Sequence, residues 1–362
     1  MSNRRNFLKN SLIGTVAAPT IFTAASASAA SSIKKKKLKN WVWLHPDGKD
    51  TTDELKLRYQ SYKSAGITGL LFGGLSEKHY TEAKLAGLEA HCWNWTMNKG
   101  DKNLMAAHPD WYAVSREGKS CVEVAPYVDY YRWLCPSKPE VQEYLKEEAE
   151  RILSNDWVDG IHLDYIRYCD VILPKNLWSQ YKIEQRMELP QYDFCYCNTC
   201  REKYKAISGK DPLVMDYPDA SLSWRLYRYE SINNVVNQIA VVAKQQQKKI
   251  TAAVFPTPEV ARRIVRQDWT NWNLDAVFPM TYNKFYQEDV KWIGDAVKEG
   301  VHFLHDQIPL YAGLYLPDFD NDYQQVAEAI HVAINNKARG VSLFGHISEE
   351  VLKTLKEAIR TA

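Results

Sequence analysis

Beyond residue 30 the chain has no apolar run approaching the roughly 20 residues of a bilayer-spanning helix, which argues against integral membrane association. It lacks a surplus of either charge: 46 Lys and Arg stand against 44 Asp and Glu, so no basic field marks a nucleic-acid partner. No G-x-G-x-x-G follows the first apolar strand, which removes the usual dinucleotide fingerprint. Aromatics, by contrast, are plentiful, with 12 Trp and 22 Tyr. They suit a sugar site as well as a core, because pyranose rings lay their C–H faces on indole and phenol rings.

The N-terminus reads as an export signal. Asn3-Arg4-Arg5-Asn6-Phe7-Leu8-Lys9 precedes a moderately apolar run from Ser11 to Phe22 and the small-residue segment Ala27-Ser28-Ala29. The order of basic, apolar and small residues is that of a cleavable signal, and the paired arginines add the twin-arginine (Tat) address. Residues 1–30 are therefore expected to be a Tat signal peptide, 31–39 a solvated basic linker, and 40–362 the folded domain. The expected location is periplasmic or secreted, with the Tat translocase as a partner during export.

After the linker, short apolar runs alternate with amphipathic segments. Strands are expected at Trp41–Pro46, Ile67–Gly74, Leu88–Met97 and in VDGIHLDYIRY (Val158–Tyr168), then in KITAAVFPT, LDAVFPMTYN, PLYAGLYLP and GVSLFGH. Helices are expected between them, among them one capped by Ser137 and others at Leu222–Gln246, Val290–Lys298, Tyr323–Asn336 and Glu349–Arg360. Near-continuous apolar strands alternating with helices imply a parallel sheet covered on both faces. Eight such units close into an α/β fold of the (β/α)8 TIM-barrel kind, with long insertions after strands three and four, about Asn98–Cys135 and Cys169–Ser221. An open doubly wound sheet is the alternative for the same alternation.

In such barrels chemistry sits at the C-terminal ends of the strands. Asp164 is at the end of strand four, His45 and Asp47 follow strand one, Trp93 and Trp95 lie in strand three, and Glu259 follows strand five. Tyr282 and Asn283 follow strand six, Tyr315 and Asp318 strand seven, and His346 strand eight. Aspartate disfavours strands and resists burial, so Asp164 directly after an apolar run asks for a reason.

The segments DGIHLDYIRY, LCPSKPEVQEYLKEEAERIL, ITAAVFPTPE and DAVFPMTYN resemble the glycosyl-hydrolase-like barrels of the family 10 glycosidase-like group. The resemblance spans essentially all of the mature chain and implies an exported glycoside hydrolase cleaving a poly- or oligosaccharide, with Asp164 as a catalytic carboxylate. Family 18 chitinases share part of the pattern, at Asp159, Gly160, Asp164, Met280 and Tyr282, but His162 and Ile166 stand where that family has its second acid and its glutamate. The missing glutamate argues against chitinase-type chemistry.

Glycosidic hydrolysis ordinarily takes two carboxyl groups across the bond, one donating a proton and one acting as nucleophile or base. Glu259 is the expected partner of Asp164, with Asp318 or Asp47 behind it. Its competing role is that of an acid in a helix's first turn after Thr257-Pro258. His45, Trp93, Trp95, Arg167, Tyr282, Asn283, Tyr315 and His346 are the expected substrate contacts, and an Asp164–Arg167 ion pair is the structural alternative for the aspartate. A catalytically silent glycan-binding barrel remains a rival, as does a metal-dependent sugar isomerase or deacetylase, which needs His45, His346 and an acid to converge.

No catalytic cofactor is expected. FCYCNTCREKY places Cys195, Cys197 and Cys200 in C-x-C-x-x-C spacing, which lets three thiolates converge on a structural zinc if a fourth arrives from elsewhere. Cys135 is the first choice and Cys169 the second. The arrangement resembles the zinc cluster of family 42 β-galactosidases. A disulfide, favoured by an oxidising compartment, or free thiols are the alternatives. No histidine adjoins this segment, so a catalytic cysteine is not expected.

Overall fold

The computed structural model describes residues 38–362; the expected signal and most of the linker lie outside the described residues. The elements run β1 (Asn40–Leu44), α1 (Thr52–Ala65), β2 (Ile67–Gly73), α2 (Glu77–Leu85), β3 (Glu89–Trp95), α3 (Lys102–Ala107), α4 (Pro139–Leu153), β4 (Gly160–Asp164) and α5 (Asn198–Ser208). They continue with α6 (Leu222–Gln245), β5 (Lys249–Val254), α7 (Pro258–Val265), β6 (Ala276–Pro279), α8 (Val290–Phe303), β7 (Ala312–Tyr315), α9 (Tyr323–Asn335), β8 (Val341–Phe344) and α10 (Glu349–Thr361).

All eight strands are parallel, in the order β6-β5-β4-β3-β2-β1-β8-β7. The barrel closes between β6 and β7 through parallel bridges at Val277–Leu310 and Met280–Gly313. It is the expected α/β TIM barrel. The strands bury both faces, one against the helices and one against the barrel interior, so even the polar side chains of β3 and β4, His91 and His162, are fully buried.

The interior is filled by rings: Trp41, Trp43, Trp93, Phe278 and Tyr311 pack with Leu71 and Ala253. Trp41 fits because its register partner on β2 is Gly69, where a Cβ would collide with the indole. Burying each large ring contributes on the order of 2–3 kcal/mol.

The floor of the barrel is a charge network. Glu89 at the start of β3 accepts from Lys39 (2.9 Å), Lys249 (2.7 Å) and His91 (2.9 Å). Burial works against its charge, yet these hydrogen bonds hold its carboxyl well below the usual glutamate range.

One expected cap is not used. Lys138 occupies the N-cap of α4, and Ser137 instead bonds Ser231 (3.0 Å) and accepts from Tyr227 (3.0 Å), tying the loop to α6. The two insertions carry the short helices α3 and α5, which are not marked by any long apolar period. The second insertion is pinned to α6 by a fully buried ion pair, Arg228 Nη1 to Asp193 Oδ1 at 2.5 Å, and Tyr196 donates to the other Asp193 oxygen at 2.6 Å.

Candidate active site

The end of β4 turns sharply. Tyr165 takes a left-handed conformation (φ 49°), a placement that costs a non-glycine residue about 1 kcal/mol, and it directs its own N–H onto Asp164 Oδ1 at 2.7 Å. The second oxygen, Oδ2, accepts from the Trp93 indole N–H at 2.9 Å. Asp164 thereby hangs from two neutral donors in the wall of a cavity of about 500 Å³ at the C-terminal ends of the strands. Burial raises its carboxyl above the ordinary aspartate range, against the opposing pull of Trp93, the Tyr165 N–H and the Arg167 charge.

Arg167 does not pair with Asp164. Its Nη1 binds Asp170 Oδ2 and the Tyr168 carbonyl, each at 2.9 Å, while Trp133, Tyr165 and Phe255 enclose its guanidinium. Asp170 lines the same cavity as Asp164, so the carboxyl that shares the mouth comes from three residues beyond Arg167. Glu259 is not part of the cavity wall. It is exposed in the first turn of α7, with its backbone N–H on Glu299, and acts there as the helix-start acid. Asp47 is exposed, and Asp318 is buried after β7 with one carboxylate oxygen lacking a partner, but neither lines the cavity.

Of the expected substrate contacts, His45, Trp93, Trp95, Arg167 and Tyr282 line the cavity, whereas Asn283, Tyr315 and His346 do not. Asn283 donates to the Glu288 carbonyl and closes its own turn. Tyr315 packs behind Tyr282 with ring centroids 5.3 Å apart. His346 is exposed, and His45 leans on Trp93 at 4.9 Å. Trp93 is 8% exposed and meets Trp43 edge-on, so it positions Asp164 rather than offering a face to a ring. His162 points inward to Thr251 at 2.8 Å, and burial holds it neutral.

Sequence reasoning missed Asp170 and the tyrosines of the insertions, Tyr127, Tyr130, Tyr131 and Tyr181, which line the outer cavity. The one signal available was the density of tyrosine in YVDYYRW, Tyr127 to Trp133.

On the same face of the barrel, Cys135 meets Cys195, Cys197 and Cys200, all buried, with the four sulfurs within 4.8 Å of one another. Cys135 Sγ is 3.6 Å from Cys197 and 3.4 Å from Cys200. These are close to the roughly 3.8 Å edge of a tetrahedron with 2.3 Å zinc–sulfur bonds, so the cluster can hold a metal. Cys169, the second choice, lies apart with its thiol on the Asp170 carbonyl. Among the described residues no other group of three or more His, Cys, Asp or Glu is arranged for a metal, so His45 and His346 do not converge with an acid.

The molecule is thus a parallel eight-stranded barrel with a carboxyl at the end of β4 in a mouth walled by aromatics, the position at which such barrels carry their chemistry. Residues 77–328 match the family described as glycosyl hydrolase-like 10, and the chain belongs to it. No curated protein matches the chain. The fold is similar to the glycoside hydrolase domain of PgaB (BpsB) from Bordetella bronchiseptica, with a TM-score of 0.63 at 10% identity over 90% of this chain and 97% of that one. It is similar to the catalytic domain of β-amylase from Paenibacillus polymyxa, with a TM-score of 0.62 at 11% identity over 90% and 98% of the two chains. A β-galactosidase from the psychrophilic Marinomonas ef1 superposes with a TM-score of 0.59 at 11% identity, over 89% of this chain and 59% of that one.

Proposed function

We propose that the protein is an exported glycoside hydrolase and that Asp164 is its catalytic carboxyl. The observation that carries this reading is the placement of the Asp164 carboxyl at the end of β4, suspended from Trp93 and Tyr165 in the wall of the mouth, where burial favours its protonated form. A carboxyl whose protonated form is favoured by burial is suited to donate a proton to a leaving glycosidic oxygen. Asp170, opposed by Arg167 at 2.9 Å, is the second carboxyl available for water activation or nucleophilic attack, in place of Glu259. A silent glycan-binding barrel would keep the aromatics without needing a strained residue to orient an acid. The test is a screen of the purified protein against neutral and charged glycans by reducing-end release, with Asp164→Asn alongside. Release by the parent and none by the variant supports the reading; equal release by both, or by neither on every glycan, overturns it.

The four cysteines are proposed to hold one structural zinc as thiolates, joining the loop before α4 to the N-terminus of α5. Their shared burial and the approach of all four sulfurs to within 4.8 Å of one another favour this over a disulfide. Tat export carries folded chains, so the ion is loaded before the oxidising compartment is reached. Metal analysis should return about one zinc per chain, and chelation should lower the melting temperature. Recovery of two of the four as a disulfide contradicts it.

A further inference from the structure

The cavity continues outward from Asp164 along a wall of aromatic rings that the proposed chemistry does not use. Trp95, the last residue of β3, is 38% exposed, whereas each of the other 11 tryptophans is less exposed. Beside it stands Tyr130 from the first insertion, 49% exposed, with ring centroids 6.0 Å apart and planes tilted by 43°. Beneath Trp95 lies the Tyr165 ring at 4.8 Å. Leaving part of an indole face in water forgoes burial, and here the ring is backed by Tyr165, whose left-handed backbone also orients Asp164. One strained residue therefore fixes both the acid and the platform. Tyr181, from the second insertion, lines the same cavity, so the space beyond Asp164 lies between the two insertions rather than ending at a closed pocket.

We infer that Trp95 and Tyr130 form an outer sugar-stacking subsite and that the substrate is a glycan chain extending at least two rings from the cleaved bond. The class that fits is a β-linked pyranose chain of gluco configuration, whose equatorial substituents leave flat C–H faces for indole and phenol to cover. The cavity's cation supports the same class. Arg167 is already committed to Asp170, which leaves it little capacity to bind the carboxylates or sulfates of an acidic chain.

This inference rests on the hydrolase reading, and a binding experiment separates the two. Titration of the Asp164→Asn protein with cello- and chito-oligosaccharides of two to six residues, followed by calorimetry, should show affinity rising at least tenfold from dimer to hexamer in one series. Trp95→Ala and Tyr130→Ala in that background should remove the rise while leaving the dimer's affinity unchanged, and Trp95→Phe should restore part of it. Affinity independent of chain length, a Trp95→Ala protein that keeps the rise, or no binding by either series overturns the subsite. Chain-length-dependent binding through Trp95 in a protein that cleaves neither series supports the subsite and sinks the hydrolase reading alone.

Discussion

Glu89 on the floor of the barrel and Asp164 in its mouth are two carboxyls treated in opposite ways. Glu89 on the floor is held by a histidine and two lysines, and its ionised form is strongly favoured. Asp164 in the mouth is equally close to its donors, but both are neutral, and burial favours its protonated form. The floor uses charge to tie β3 to β5 and to the chain entering β1. The mouth gives up that stabilisation to keep an acid that can part with a proton. This is the division of labour expected of such barrels, with stability at the N-terminal ends of the strands and chemistry at the C-terminal ends.

The comparison is sharpened most by Asp164→Asn. Turnover on a cleaved glycan should fall by at least about a thousandfold, roughly 4 kcal/mol of transition-state stabilisation, while the melting temperature at neutral pH stays level or rises. The rise follows from the sign of the shift. A raised carboxyl contributes stability below its unfolded pKa and loses it as pH climbs through the folded value, and asparagine has no such loss. Glu89→Gln should do the reverse: about 2 kcal/mol of stability lost by denaturant melts, with turnover per folded molecule unchanged. Because the Glu89 carboxyl is depressed, its contribution is present above roughly pH 4 and is lost as pH falls, so the variant's melts should also be less sensitive to acid. Trp93→Phe removes one donor to the Asp164 carboxylate and should move the alkaline limb of kcat/KM upward by under about one pH unit, the equivalent of roughly 1 kcal/mol. Smallest of all, a shortened chain beginning at Ile33 should melt with the full chain, because among the described residues the apolar core begins at Trp41.

The barrel was legible because short, mostly apolar strands alternate with helical segments, of which α4, α8 and α10 carry a clear period, and both signals are local. Asp164 was legible for a related reason, as an acid set where only burial was due. The cysteine cluster could be read from spacing together with the face of the barrel on which each loop lies. Asp170 was not, since nothing in CDVILPK distinguishes it from loop polarity; only the folded turn puts it against Arg167 and into the mouth. Glu259 fits the two-carboxylate pattern by position along strand five, but the first turn of α7 points it to solvent. Which of two local roles such an acid takes depends on the direction of a helix that sequence leaves open. Trp93 shows the same limit: its ring was expected to meet sugar, whereas its N–H meets Asp164.

The central claim, that the mouth keeps its acid protonatable while the floor keeps its acid ionised, is tested most directly by titrating both carboxyls in one sample by carbon NMR. Asp164 should titrate above the ordinary aspartate value of about 3.9 and Glu89 below the ordinary glutamate value of about 4.3. An Asp164 that titrates at or below 3.9 would mean an ionised mouth, and the proton-donor role would be lost.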